Sequence, residues 1–225
     1  MNVSGRKIRI APSMLACDFA RAGEEAKKVF DAGAEYLHLD VMDGRFVPNI
    51  SFGADFIASL RRYSGAFFDT HLMVLEPAAY IERFAAVSDG VTVHYEACAD
   101  PGEALRMIRA LGKKAGISLR PSTPVGVIGP YLPFVDTILI MSVEPGYGGQ
   151  SYIPESTEKI RQARALADRY GGITVEVDGG VNLKNAGEIA RAGADVLVAG
   201  SAVFRAADPA EAIRALTACG EENGK

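Results

Sequence analysis

The chain has 225 residues, 48% of them hydrophobic and 23% charged, and 24 lysines and arginines against 28 aspartates and glutamates leave a formal net charge of −4. Such a composition supplies a sizeable apolar core and excludes a disordered chain. With no global positive field, capture of a nucleic-acid backbone or an anionic membrane is also excluded, and any small anion must be met locally.

Short runs rich in Val, Ile and Leu alternate with longer amphipathic segments along the whole chain. The runs predict strands over 8–13, 36–41, 66–73, 91–94, 115–119, 137–141, 173–177 and 196–199. Between and after them, helical patterns cover 18–32, 54–63, 77–87, 101–111, 125–131, 154–170, 183–192 and 208–218. Asp18 is placed to cap the first helix, and Pro77, Pro101 and Pro209 stand at helix starts, where a missing N–H costs nothing. Gly33, Gly112 and Gly193 follow helices as left-handed stops, as do Gly171 and Gly172. Eight β-α units in so short a chain predict an α/β fold of the (β/α)8 TIM-barrel type rather than an open doubly wound sheet. One domain over 1–225 is expected, with a frayed polar tail over about 220–225.

In such a barrel, chemistry belongs where strands end and the following loops begin. His38 and Asp40 lie two apart on the second strand and share one side of the sheet, His71 ends the third strand, and Asp178 ends the seventh. Two imidazoles and two carboxylates converging at one mouth make a four-ligand site for one divalent metal ion: zinc, iron(II), manganese or cobalt. His94 also ends a strand, but packing behind the ligands accounts for it at least as well as ligation, so it is left outside the set. Met42, Met73 and Met141 read as core filler on spacing alone.

Glycine-rich loops follow the sixth, seventh and eighth strands: 144–150 with Gly146, Tyr147, Gly148 and Gly149, then Gly179-Gly180 after Asp178, then Gly200-Ser201. Glycines let backbone N–H groups approach an anion, and a short helix after Gly200 aims its positive end at a phosphate. An acidic protein is thus expected to bind its anion through main-chain dipoles rather than a lysine patch.

These residues are similar to the ribulose-phosphate 3-epimerase family over 8 to about 204. The carrying segments are Pro12-Ser13, His38-Leu39-Asp40-Val41-Met42-Asp43-Gly44, Phe46-Val47-Pro48-Asn49, His71-Leu72-Met73, the 143–150 loop, Val177 to Asn182, and Val198 to Ser201. The resemblance implies that His38, Asp40, His71 and Asp178 hold the metal and that Asp40 and Asp178 form the acid/base pair. It implies that Ser13 and His71 touch substrate, that phosphate lies against Gly146–Gly149, Gly179–Gly180 and Gly200–Ser201, that the methionines line the site, and that the 43–52 loop covers it. The implied reaction interconverts D-ribulose 5-phosphate and D-xylulose 5-phosphate by proton transfer at C3, in the pentose phosphate pathway.

Three positions depart from the family pattern: Arg120-Pro121 for an Asn-Pro pair, Tyr147 for a common Phe, and Cys17 for a small residue. Arg120 is expected either to alter substrate preference or to make a surface salt bridge. The alternative reading is a D-allulose-6-phosphate 3-epimerase, against which Gly180 weighs. A lyase of the phosphate-binding barrel group would carry Asp-x-Lys-x-x-Asp, but the stretch reads His38-Leu39-Asp40-Val41-Met42-Asp43. A phosphate-binding protein without catalysis would need the loops but not the four ligands. Partners are a small phosphorylated ketose and further copies of the chain as a homo-oligomer, with no nucleic acid and no membrane. Cys17, Cys98 and Cys219, odd in number and without C-x-x-C spacing, and the lack of an apolar stretch after Arg6, Lys7 and Arg9, fit a cytoplasmic enzyme.

Overall fold

Residues 6–222 are described by the computed structural model. The alternation of short apolar runs and amphipathic segments resolves into eight strands: β1 Arg9–Pro12, β2 Tyr36–Met42, β3 Phe67–Met73, β4 Gly90–His94, β5 Lys114–Leu119, β6 Thr137–Met141, β7 Thr174–Asp178 and β8 Val196–Ala199. All pair in parallel, in the order β1-β8-β7-β6-β5-β4-β3-β2. A single parallel bridge between Ser13 and His38 joins the two ends of that sheet and closes the barrel. Ser13, expected inside the first strand, is instead the residue just beyond it.

The helices are α1 Ala22–Asp31, α2 Ala54–Leu60, α3 Ala78–Ala85, α4 Pro101–Ala110, α5 Ser156–Tyr170, α6 Ala186–Ala192, α7 Ser201–Phe204 and α8 Pro209–Glu222. Each longer helix buries a stripe at helical spacing, as with Ala22, Ala26 and Val29 on α1 or Ala104, Leu105 and Ile108 on α4. Asp18 caps not α1 itself but a preceding 3-10 turn, Phe19–Arg21, by accepting from the Ala20 N–H at 3.0 Å. The expected helix over 125–131 is a 3-10 segment, Val125–Phe134, because Pro130 and Pro133 within it cannot donate the hydrogen bonds an α-helix needs. The end of the tail lies outside the described residues.

Period-two alternation gives every strand two unlike faces. Outward side chains, among them Leu37, Leu39, Phe68, Leu72, Val93, Ile117, Ile138, Ile140 and Val177, are buried against the helices in one continuous apolar core. Inward positions carry His38 and Asp40 on β2, Asp69 and His71 on β3, His94 on β4, Ser118 on β5, and Glu176 and Asp178 on β7. Register puts Asp40 beside His71, His38 beside Asp69, and Met141 beside Asp178. Barrel interiors are usually filled by bulky branched side chains. In this one a column of ionisable groups rises towards the C-terminal mouth. Among the described residues no helix is long and apolar enough to cross a membrane.

Candidate active site and metal centre

A cavity of about 530 Å³ opens at the C-terminal ends of the strands. Asp40 and Asp178 line it, whereas His38 and His71 lie wholly buried behind them. His38, Asp40, His71 and Asp178 each present a nitrogen or oxygen such that all four atoms lie within 4.8 Å of one another. Asp40 Oδ1 is 3.2 Å from His38 Nε2 and 3.1 Å from His71 Nδ1, and Asp178 Oδ2 is 4.0 Å from His38 Nε2. The Ser13 hydroxyl donates to Asp40 Oδ2 at 2.7 Å, so the residue that closes the barrel also fixes this carboxylate.

The donor set fits a divalent cation, and one atom argues for it directly. His38 Nε2 is buried and has no hydrogen-bond partner, despite the carboxylate oxygens around it. Its other nitrogen, Nδ1, is held by Asp69 Oδ2 at 2.7 Å, with Glu176 Oε1 at 3.5 Å. A neutral imidazole that donates through Nδ1 presents a lone pair at Nε2, the form in which this ring would ligate a metal.

The electrostatics separate the two carboxylates. Burial favours neutral Asp40, yet His38 and His71 outweigh it and hold the group well below the usual carboxylate range. Asp178 is pushed up to about 7, by burial first and then by the Asp40 charge. Without a cation, and below about pH 7, the pair therefore holds one proton, on Asp178, as expected where two carboxylates share a dry site. Burial lowers His71. Burial also works against a charged His38, but Asp40 and Asp69 raise it well above its ordinary value. A divalent cation would replace that positive charge and draw Asp178 down.

The glycine loops come together on one side of the cavity. Gly146, Tyr147, Gly148, Gly149, Gly179, Gly180, Gly200 and Ser201 all line it. Gly180 has φ +67, and a Cβ there would lie 2.3 Å from the Tyr152 backbone nitrogen, so no other residue fits this turn. The expected short helix is α7, whose first turn, Ser201-Ala202, reaches the cavity, where the first N–H groups of a helix lack intrahelical acceptors. No lysine lines the cavity, but Arg205 does, a cation at the rim that the glycine pattern did not reveal.

Met42, Met73 and Met141 line the cavity as well, so the plain core reading of them gives way. Met42 and Met73 pack with Val47, Leu15 and Phe46 into an apolar cover. The 43–52 loop that supplies this cover is stitched across the mouth. Asn49 donates to the Gly146 carbonyl at 2.9 Å, and the Tyr147 hydroxyl donates to the Pro48 carbonyl at 2.8 Å. Arg120 does not make the expected surface salt bridge. Its guanidinium lies 4.2 Å from the centre of the Phe46 ring and donates to the Phe46 carbonyl at 2.9 Å, clamping the same loop.

Two acids went unnoticed in the sequence, Asp69 and Glu176, both buried beneath His38. The signal was there. Each stands two residues before a proposed ligand, the same spacing that picked out His38 and Asp40. Burial, with help from Asp69, pushes Glu176 up to about 8.

Solved structures share the architecture at low identity. 3-Hexulose-6-phosphate synthase from Salmonella typhimurium superposes with a TM-score of 0.70 at 17% identity, covering 96% of this chain and 100% of that one, a likeness of fold alone. Among curated proteins, ribulose-phosphate 3-epimerase of a Synechocystis species is 50% identical over 212 residues, 92% of each chain. The cytoplasmic isoform of that enzyme from Oryza sativa is 46% identical over 213 residues, again 92% of each. The model of the ribulose-phosphate 3 epimerase family matches residues 9–204, spanning every strand and all of the cavity lining but Arg205, and the chain belongs to that family.

Proposed function

We propose that this enzyme, an epimerase of the isomerase class, interconverts D-ribulose 5-phosphate and D-xylulose 5-phosphate by moving a proton at C3. The observation that carries the reading is the set of four donor atoms within 4.8 Å, with the unpartnered His38 Nε2 among them, at the floor of a cavity ringed by glycine loops. Removing the C3 proton leaves an enediolate, and the cost of the reaction is that negative charge. One divalent cation held by His38, Asp40, His71 and Asp178 supplies Lewis-acid stabilisation of it, worth several kcal/mol.

Asp40 and Asp178 stand on different strands and face the substrate from two sides, so one accepts the proton and the other returns one to the opposite face. Their placement suits the task, since each carboxylate can take up a proton on its own face while the other gives one back. The Ser13 hydroxyl orients Asp40 and borders the cavity where substrate oxygens lie. Gly146 to Gly149, Gly179, Gly180, Gly200 and Ser201 bind the phosphate through main-chain N–H groups, with Arg205 adding a charge at the rim. Met42, Met73 and Met141 keep water from the reacting carbons. We place the enzyme in the cytoplasm, as the name of the rice relative places that protein.

The test is an epimerase assay on D-ribulose 5-phosphate with metal-stripped protein. Conversion is expected only after zinc, iron(II), cobalt or manganese is added. Full turnover by stripped protein would remove the cation from the reaction, and no turnover with any of the four ions would remove the substrate.

A further inference from the structure

Behind the cavity, His71 is not the last imidazole in its line. Its Nε2 lies 2.9 Å from Nε2 of His94, and His94 Nδ1 lies 3.2 Å from Glu96 Oε2. The other oxygen of Glu96 accepts from the Arg120 N–H at 2.7 Å and from the Thr123 hydroxyl. Both imidazoles are fully buried, with ring centroids 4.9 Å apart.

We propose that His94 and Glu96 are positioning residues that fix His71 in the one tautomer able to ligate a metal through Nδ1. The inference rests on the metal centre proposed above and concerns what prepares it. Two donors, the Arg120 backbone N–H and the Thr123 hydroxyl, converge on one oxygen of Glu96, and with His94 against the other they hold the carboxyl at about 2 despite burial, so it is an ionised acceptor. His94 Nδ1 must then carry a proton. A neutral imidazole has only one, so His94 Nε2 offers a lone pair, and the atom 2.9 Å away, His71 Nε2, must supply the hydrogen. The remaining nitrogen of His71, Nδ1, is left bare and faces Asp40 Oδ1 at 3.1 Å.

Asp69 does the same for His38 in one step, from the other nitrogen, leaving Nε2 bare. The two imidazoles thus reach the centre through different atoms, each set by a carboxylate, one directly and one through an intervening ring. Arg120 and Thr123 lie at the far end of the longer wire. The loop after β5 therefore orients a ligand it does not touch.

The proton positions can be read directly. In protein labelled with 15N at its three histidines and loaded with zinc, long-range 1H–15N spectra should show His94 protonated on Nδ1 and His71 on Nε2. Zinc affinity measured by chelator competition should fall about 10- to 100-fold in His94→Leu, and recover in His94→Gln, whose amide oxygen can accept from His71. Zinc bound with His94 protonated on Nε2, or bound by His94→Leu as tightly as by the wild type, would overturn the wire while leaving the metal centre standing. A wild-type protein that binds no zinc, iron(II), cobalt or manganese would overturn both. Should His94→Leu not fold, the wild-type spectrum decides alone.

Discussion

The two faces of the same eight strands obey opposite rules. The outer face is a continuous apolar layer in which Phe68, Ile117 and Leu37 are fully buried against helices, and its contribution scales with area removed from water. The inner face buries His38, Asp40, Asp69, His71, His94 and Glu176 just as deeply, where each charge must find a partner or give up its proton. Stability is thus concentrated outside the barrel wall and chemistry inside it. A polar interior is affordable only because the outer layer carries the fold, so substitutions on the two faces should fail in different ways.

The largest effect belongs to the inner face. Asp40→Asn and Asp178→Asn should each lower kcat by about 10²- to 10⁴-fold, because each takes away the proton carrier on one side of the substrate. Their stabilities should differ below about pH 7. There Asp178 keeps a proton in the metal-free protein, so an amide replaces it at little cost, whereas Asp40 is ionised and accepts from Ser13 and faces His71. Urea unfolding of the stripped variants checks this, and equal losses of stability would contradict the assignment of the resting proton.

On the outer face the pattern should reverse. Phe68→Ala removes a fully buried ring and should cost about 3–5 kcal/mol, read as a lower urea midpoint. Protein that stays folded should keep its kcat. A matching loss of kcat would mean that the outer layer also sets the geometry of the site, and the division between faces would fail.

That division explains what could be read from the sequence. All eight strands were legible within a residue or so of their ends, since a short β-branched run buried on its outer side is hard to mistake among amphipathic helices. His38, Asp40, His71 and Asp178 were legible as polar breaks near strand ends. Asp69 and Glu176 carry the same two-residue spacing, but a lone acid in a strand reads as a solvated position until the barrel is seen to close around it. The fifth crossover has the apolar content of a buried α-helix, but Pro130 and Pro133 leave it a 3-10 segment. Arg120 stands out in the sequence as a departure from the family pattern, but its partner does not, for Phe46 lies 74 positions away in the chain.

Arg120 offers a smaller test, at the boundary between the faces. Arg120→Ala would lose the stack on Phe46 and the bond to its carbonyl, interactions of about 1 kcal/mol each, while the backbone N–H to Glu96 remains. If the clamp holds the cover over bound substrate, KM should rise about tenfold or somewhat more, with kcat changed by much less. An unchanged KM in steady-state assays would make Arg120 a packing residue only.

The effect that leaves turnover out altogether is a pH slope in the metal-free protein. Glu176 is raised from its ordinary 4.5 to about 8, so between those values the folded state keeps a proton that the unfolded chain has released. Stability should therefore fall as pH rises through this window. Asp178, raised to about 7, and the raised His38 act with the same sign; the lowered His71 and His94 oppose them below about pH 6.5, so the decline is steepest above it, whereas Asp40 and Glu96, both lowered, titrate below the window. Glu176→Gln keeps the volume and removes the titration, so its Tm should decline less steeply between about pH 5 and 8. An equally steep decline would assign the slope to Asp178 and His38, and would place the strain of the polar interior at the metal ligands rather than beneath them.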